Sequence, residues 1–365
     1  MVCSFIDIQY GALAWWIFSN ILRPLRNLFD HLLSDGSDLG ASTCVEIDER
    51  NVVDLWGGYC NAERTKDWER DTITTIWSTT KVNTALAANI LVNRALLDPA
   101  ERISTYWPEF AANGKVTILV SHVLSHSSEL PSWESPNTVE DLYNAEKAAE
   151  KIAAQALWWT PGEQLGYHLV TQGCFVGELV CRTTGQSLAQ FIADEIANPL
   201  RVDRRLGAPK RDWPRTADII PPPTPESAPS LDPESVAARA YAGVPRPVDA
   251  AIAAPFRIAE LGASNALTNA RVLARVASIV SLGGTQILAQ DQVLFVKLRL
   301  GLGVGASVPE IVLSFPSTGR LWMGDSMAEW NGACLCFLSD CPDVCELLPA
   351  RGFEELYERV TGSCR

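Results

Sequence analysis

Positive charge is scarce in this chain: 30 Lys and Arg stand against 43 Asp and Glu, a formal net charge of −13 over 365 residues. Such a surface repels phosphate backbones, and no run of Lys and Arg offsets the repulsion, so nucleic acid is excluded as an expected partner. Long apolar runs are lacking too. Residues 11–22 (GALAWWIFSNIL) form a stretch of 12, whereas a bilayer span needs about 20. No Lys or Arg precedes it, Asp7 lies on its approach and no small-residue cleavage site follows, so a signal peptide fits poorly. A packing helix or a divergent extension fits better. The competing reading is an interfacial anchor, with Trp15 and Trp16 at the surface and Arg23 and Arg26 behind them. The expectation is a cytoplasmic protein with no stable membrane span. Nothing in the sequence sets an oligomeric state.

Familiar cofactor and metal signatures are missing as well. The ten cysteines include no CxxC pair. Cys334, Cys336, Cys341 and Cys345 cluster, but Cys334 and Cys336 alternate inside an apolar, strand-like run at 333–338 and read as free thiols. There is no GxSxG, no HExxH and no GxxxxGK[ST]. The glycine-rich run 301–305 lacks the spacing of a dinucleotide loop and reads as strand and turn. No metal and no organic cofactor is expected.

What is present is ordinary globular material, 47% hydrophobic and 20% charged. Residues 42–47 alternate, a polar turn follows at 48–51, and a second apolar run at 52–56 ends on Gly57 and Gly58, which is a hairpin signal. A strand-like run at 72–77 leads into Ser78. Beyond it Val82, Leu86, Ile90 and Leu91 recur at helical spacing with alanines between them. The middle reads as mostly helical, most clearly at 139–156 and 172–182. Ten prolines between Pro209 and Pro247 then predict a long surface excursion without regular helix. Helical pattern resumes at 269–281, strand-like runs follow at 311–315 and 333–338, and a last helix carries Phe353, Leu356, Tyr357 and Val360 on one face. The order of strands, helices, strands and a final helix predicts one antiparallel sheet shared by both ends of the chain, with a helical lobe inserted. Expected boundaries are an N-terminal extension at 1–23 and a single domain at 24–365. Within the domain, the sheet lobe takes about 24–77 and 262–365, and the helical lobe with its Pro-rich excursion takes about 78–261.

Ser78-Thr79-Thr80-Lys81 carries the first candidate chemistry. A spacing of i, i+3 at a helix start puts hydroxyl and amine on one face, where the amine can hydrogen-bond the hydroxyl. A desolvated lysine can also lose its charge and help remove the proton. The helix N-terminus adds a favourable field for developing negative charge. Taken alone, the tetrapeptide is nearer to an N-capping serine with a solvated first-turn lysine.

The surrounding strings change that balance. Trp68-Glu69-Arg70-Asp71-Thr72 leads into the tetrapeptide; His126-Ser127-Ser128-Glu129-Leu130-Pro131 and Pro161-Gly162-Glu163 follow before Gly166-Tyr167-His168. They stand in order with Val53-Asp54-Leu55-Trp56-Gly57-Gly58, Ser104-Thr105-Tyr106-Trp107-Pro108 and Gly173-Cys174-Phe175-Val176-Gly177, within a likeness that covers roughly residues 25 to 340. In this the chain resembles the serine hydrolases related to class C β-lactamases and penicillin-binding proteins, above all their esterase and transesterase branch. The resemblance implies an α+β fold of the β-lactamase/transpeptidase type, an antiparallel sheet flanked by helices plus an inserted helical lobe. It implies Ser78 as the nucleophile that forms an acyl-enzyme and Lys81 as the residue sharing or relaying its proton. Tyr167 takes the place of the general base and acid, a task that suits tyrosine when nearby cations lower its pKa from about 10. His122 and His126 stand at the i, i+4 spacing of a metal or catalytic pair, but the resemblance gives them a structural part; His168, next to Tyr167, reads either as facing the pocket or as a loop side chain. Glu129 stands where the family usually carries Gly.

The family's third motif, a strand whose backbone N–H completes the oxyanion hole, maps onto Trp322-Met323-Gly324, with Trp330-Asn331-Gly332 as the second choice. Small residues are needed there for close approach of the acyl oxygen. Met323 crowds that position and Asp325 brings negative charge near it, so a degraded site is a competing expectation. The leading expectation is a serine hydrolase or acyltransferase acting on small esters, thioesters or amides. A β-lactam or D-Ala-peptide hydrolase is the first alternative, disfavoured by the missing Asn after Tyr167 and the absent K-T-G. A non-catalytic binding or assembly module of the same fold is the second.

Overall fold

The computed structural model describes residues 23–47, 50–160, 166–220, 232–244 and 254–281, together with short strands at 305–306, 321–322, 327–330 and 333–338. The predicted hairpin forms: β1 (Gly40–Ile47) and β2 (Arg50–Gly58) pair antiparallel from Gly40↔Gly58 to Ile47↔Arg50, with a bulge at Val45/Glu46. Each strand starts earlier or ends later than its alternation suggested. Gly58 makes this possible: its φ is +80 and a Cβ there would lie 2.2 Å from the Leu39 carbonyl oxygen. β1 is buried from Gly40 to Glu46 because both faces are covered. Phe29 and Leu33 of the first helix (Arg23–Asp35) lie against Gly57, opposite Ala41. On the other face Ser42 accepts a hydrogen bond from the Ala270 N–H, at the start of the Ala270–Ser281 helix.

The strand-like run at 72–77 is shorter than its composition implies. β3 (Thr74–Thr75) is its one regular strand, in a small sheet where β5 (Ala266–Thr268) lies between it and β4 (Arg205–Leu206), and Ile73 adds an isolated parallel bridge to Thr216. Trp77 then takes φ +41 and turns the chain into a 3₁₀ turn over Trp77–Thr79. The large sheet is completed by β6 (Gly305–Ala306), β7 (Leu321–Trp322), β8 (Met327–Trp330) and β9 (Ala333–Leu338), in the order β2-β1-β9-β8-β7-β6. β1 pairs antiparallel with β9 from Ser42↔Leu338 to Ile47↔Ala333, so strands far apart in the chain share one sheet as the element order predicts.

The helix Thr80–Asn93 runs through the middle of the molecule, and every residue from Thr80 to Leu91 is buried. A helix enclosed on all sides has no polar face to orient it. Several of its polar side chains are satisfied by backbone: Thr80 Oγ1 accepts from the Ala266 N–H, Thr84 donates to the Gly262 carbonyl, and Asn89 donates to the Ala85 carbonyl, whereas the buried Asn83 amide makes no such bond. The single helix expected at 139–156 is two, Val139–Tyr143 and Ala145–Ala154. Asn144 breaks it by capping the second piece through the Lys147 N–H, just as Thr138 and Asp141 form a capping box on the first. Helices at Thr171–Thr184 and Ala270–Ser281 match the periodic runs that predicted them.

The proline-rich stretch holds more regular structure than expected. Lys210–Arg215 is a 3₁₀ helix, tied down by Arg215 bridging Asp203 and Asp212, and Val236–Ala242 is an α-helix capped by Ser235. Pro209 and Pro233 sit at the flanks of these helices and Pro214 within the 3₁₀ turn, where fewer N–H donors are needed. The apolar stretch 11–22, the runs 311–315 and 301–304, and the C-terminal helix around Phe353 lie outside the described residues. Among the described residues no helix is long and apolar enough to cross a membrane.

Candidate active site

Ser78 sits in the 3₁₀ turn that leads into the enclosed helix, half-exposed, while Lys81 one turn later is only 5% exposed. Lys81 Nζ lies 3.3 Å from Ser78 Oγ, 2.9 Å from the Leu169 carbonyl and 3.0 Å from the Ala263 carbonyl. Carbonyl oxygens only accept, so an ammonium here donates to all three. Its charge is held beside the serine by backbone dipoles with no carboxylate among these partners. The tetrapeptide's alternative reading, a solvated first-turn lysine, is thereby set aside. Trp77, the residue before the serine, holds a left-handed conformation at φ +41 that costs a non-glycine residue about 1 kcal/mol or more. Its ring packs on Phe256 at a centroid separation of 5.7 Å, which secures the turn.

Tyr167 crosses this pair from a second segment. Its ring centroid is 4.8 Å from Lys81 Nζ, a cation–π geometry, and the side chain is half-exposed. The segment 166–171 is stitched to the loop 126–131. Gly166 N–H donates to the His126 carbonyl, His168 N–H to His126 Nδ1, Leu169 N–H to the Pro131 carbonyl, and Thr171 Oγ1 to the Leu130 carbonyl. The structure thus brings Ser78, Lys81 and Tyr167 together. Trp322 lies in β7, opposite Gly305 and Ala328, and Gly324 lies outside the described residues.

The histidines behave differently from their sequence spacing. The helix carrying His122 spans only Val120–Leu124, and His126 follows at φ +61, so the two do not share a helical face. His126 stacks beside Tyr167 at 5.0 Å, and burial, then His168 and Lys81, holds its pKa well below the usual range. His168 lies on the loop before the Thr171–Thr184 helix, but its side chain is fully buried, with Nδ1 2.8 Å from the Gly166 carbonyl and Nε2 2.6 Å from Ser128 Oγ. Burial is the main cause that pushes it down to about 4. Glu129 adopts φ +62 with its side chain buried, which accounts for the glycine usual at that place in the family.

Sequence reading missed the carbonyls of Leu169 and Ala263 because a backbone acceptor carries no residue signature. One faint signal existed. Gly173 lies inside a helical run, and a Cβ there would come 2.5 Å from Gly262 C and Ala263 N. The helix Thr171–Thr184 therefore approaches the 262–263 turn more closely than any side chain allows. A cavity of about 780 Å³ opens elsewhere, lined by residues that include Trp107, Trp133, Cys174 and Leu188 but not Ser78, Lys81 or Tyr167. It has no part in this constellation.

An antiparallel sheet flanked by helices, an enclosed helix and a serine–lysine pair at its head define the β-lactamase/transpeptidase-like fold. The chain belongs to the Beta-lactamase family, whose profile matches residues 25–303. Among curated proteins it is similar to the esterase/beta-lactamase LipL of Mycobacterium tuberculosis, 33% identical over 291 residues that cover 73% of this chain and 63% of that protein. The chain therefore spans somewhat under two thirds of that relative's length. Among solved structures, a family VIII carboxylesterase superposes with a TM-score of 0.80 at 26% identity, covering 93% of this chain and 96% of the other. A penicillin-binding protein homologue from Caulobacter crescentus gives 0.78 at 24% identity over 87% and 91%; that likeness shows the fold.

Proposed function

We propose that this protein is a serine hydrolase or acyltransferase that works through an acyl-Ser78 intermediate on small esters, thioesters or amides. The observation that carries the reading is the Lys81 ammonium, held 3.3 Å from Ser78 Oγ by two backbone carbonyls and lying over the Tyr167 ring. The named activities of LipL and of the carboxylesterase support the same class.

In this mechanism Ser78 Oγ attacks the acyl carbonyl and its proton passes to Tyr167 as general base. The tetrahedral oxyanion is held by the Ser78 N–H and by a backbone donor near Trp322 and Gly324. Collapse expels the leaving alcohol, thiol or amine, which takes the proton from Tyr167. Water, activated by Tyr167, then releases the acid; an alcohol in its place receives the acyl group. Lys81 supplies the nearby positive charge throughout. No metal or organic cofactor enters these steps. Among the described residues Cys60, Cys174 and Cys181 form no disulfide, in keeping with the proposed cytoplasmic location, which subcellular fractionation would check.

Wild type and Ser78→Ala are incubated with a short-chain p-nitrophenyl ester, nitrocefin and a fluorophosphonate probe. Ester turnover and probe labelling that both vanish in the variant are the expected result. The name of LipL favours one second reading, β-lactam hydrolysis. Nitrocefin turnover exceeding ester turnover would put that reading first. A wild type silent towards every reagent would point to a non-catalytic module.

A further inference from the structure

The buried polar contacts around Tyr167 converge on a residue that the chemistry above does not use. His168 Nδ1 faces the Gly166 carbonyl at 2.8 Å, and a carbonyl can only accept, so Nδ1 carries the proton. In the neutral ring Nε2 is then the acceptor, and the Ser128 hydroxyl donates to it at 2.6 Å. His168's own N–H donates to His126 Nδ1 at 3.1 Å. The residues on both sides of Tyr167 are therefore held, Gly166 by the His126 carbonyl and the His168 ring, His168 by its own three contacts. The next residue, Leu169, presents the carbonyl that accepts from Lys81 at 2.9 Å.

We propose that His168 is a positioning residue for the Ser78 chemistry: by tying Gly166 to Ser128 it fixes the Tyr167 backbone and the Leu169 carbonyl that holds Lys81. This rests on the acyl-Ser78 reading. The ring does not touch a reacting atom. Its role is to keep two catalytic groups in one register while Tyr167 itself is half-exposed. The surroundings suit a neutral ring and no other state. His126 faces it at 5.1 Å, Phe175 at 6.1 Å, and the Lys81 charge acts on it from the enclosed helix. Glu129, the buried carboxyl next to Ser128, is the remaining titratable group on the facing loop. A protonated ring would place a second cation beside Lys81 and turn Nε2 from acceptor to donor.

The test compares His168→Asn, His168→Gln, His168→Ala and Ser128→Ala with wild type in ester turnover, with active sites counted by the fluorophosphonate probe. Asn keeps a donor near the Nδ1 position and so should retain the Gly166 contact. The expected result is a kcat per labelled site about 10–100-fold lower in His168→Ala with KM within about threefold, and recovery to within about fivefold in His168→Asn. Ser128→Ala and His168→Gln should fall between. A residue that only supports folding would lower the number of labelled sites and the melting temperature while leaving kcat per site unchanged. That outcome, or equal losses in Asn and Ala variants, overturns the proposal. Should His168→Ala not fold, the Asn, Gln and Ser128→Ala proteins decide by the same criterion: kcat per site within about twofold of wild type in all three overturns it. A wild type with no Ser78-dependent turnover overturns the acyl-enzyme reading first and this one with it. An active wild type with indifferent His168 variants defeats this inference alone.

Discussion

Replacing Lys81 by Met removes one positive charge and its donors while leaving a chain of similar length in the same buried slot. In the resting enzyme Nζ is 3.3 Å from Ser78 Oγ, and the negative charge of the tetrahedral intermediate develops close to that oxygen. Two unit charges at that distance attract by about 5 kcal/mol at an effective dielectric of about 20. Ser78 is half-exposed, so water screens part of this, and about 3–5 kcal/mol of transition-state stabilisation is the working figure. That corresponds to about 10²–10⁴ in acylation rate. Stability should change far less. The Leu169 and Ala263 carbonyls lose a donor at about 1–3 kcal/mol each, but several kcal/mol of ammonium desolvation are recovered. The assay is the burst of p-nitrophenol under single-turnover conditions, paired with the fluorophosphonate labelling rate and a thermal melt. A folded Met variant that acylates within tenfold of wild type would refute the role given to Lys81.

Three further expectations use other contacts. Tyr167→Phe should lower kcat/KM by about 10²–10⁴-fold if the phenol moves the proton, and a loss under about threefold would remove it from that role. Gly173→Ala drives a methyl into Gly262 and Ala263, where a Cβ meets backbone atoms at 2.5 Å. It should cost about 1–3 kcal/mol in urea denaturation and reduce turnover by displacing the Ala263 carbonyl from Lys81; unchanged kinetics would show that this carbonyl is not needed. Lys115 is fully buried on the Ala112 and Gln155 carbonyls, and burial pushes its pKa from 10.5 down to about 8. The unfolded chain then holds this proton more tightly than the native one. Its contribution is therefore least favourable below about pH 8, and stability rises by about 3 kcal/mol as pH climbs towards 10.5. Urea midpoints across that window should rise in wild type and stay flatter in Lys115→Met, and parallel slopes would contradict the assignment.

Local pattern carried much of the site. The alternating run before the 48–51 turn and the apolar run after it, ending on Gly57 and Gly58, are enough for the hairpin, because a one-residue slip would move the alternating strand's side chains to the wrong face. The mostly apolar character of 82–91 points to a buried helix. Where local signals competed, pattern alone misjudged. Asn144 is a good N-cap within a continuous apolar period, and the cap won. Trp77 reads as strand by composition, yet its place after β3 and its packing on Phe256 turn it to φ +41.

By itself the sequence determined the serine–lysine spacing, the helix that presents it, and the membership of Tyr167 in an ordered set of strings. Tertiary structure alone decided what those residues experience. Lys81 is held by carbonyls that lie 88 and 182 residues away along the chain, and carbonyls belong to every residue alike. No side-chain pattern marks them. The same holds for His168, which as a letter beside Tyr167 reads as a loop residue and in the fold becomes a buried tie to Ser128, 40 residues earlier. Composition and spacing fix which groups are available; the approach of distant backbone in a water-poor interior fixes their charge state and direction.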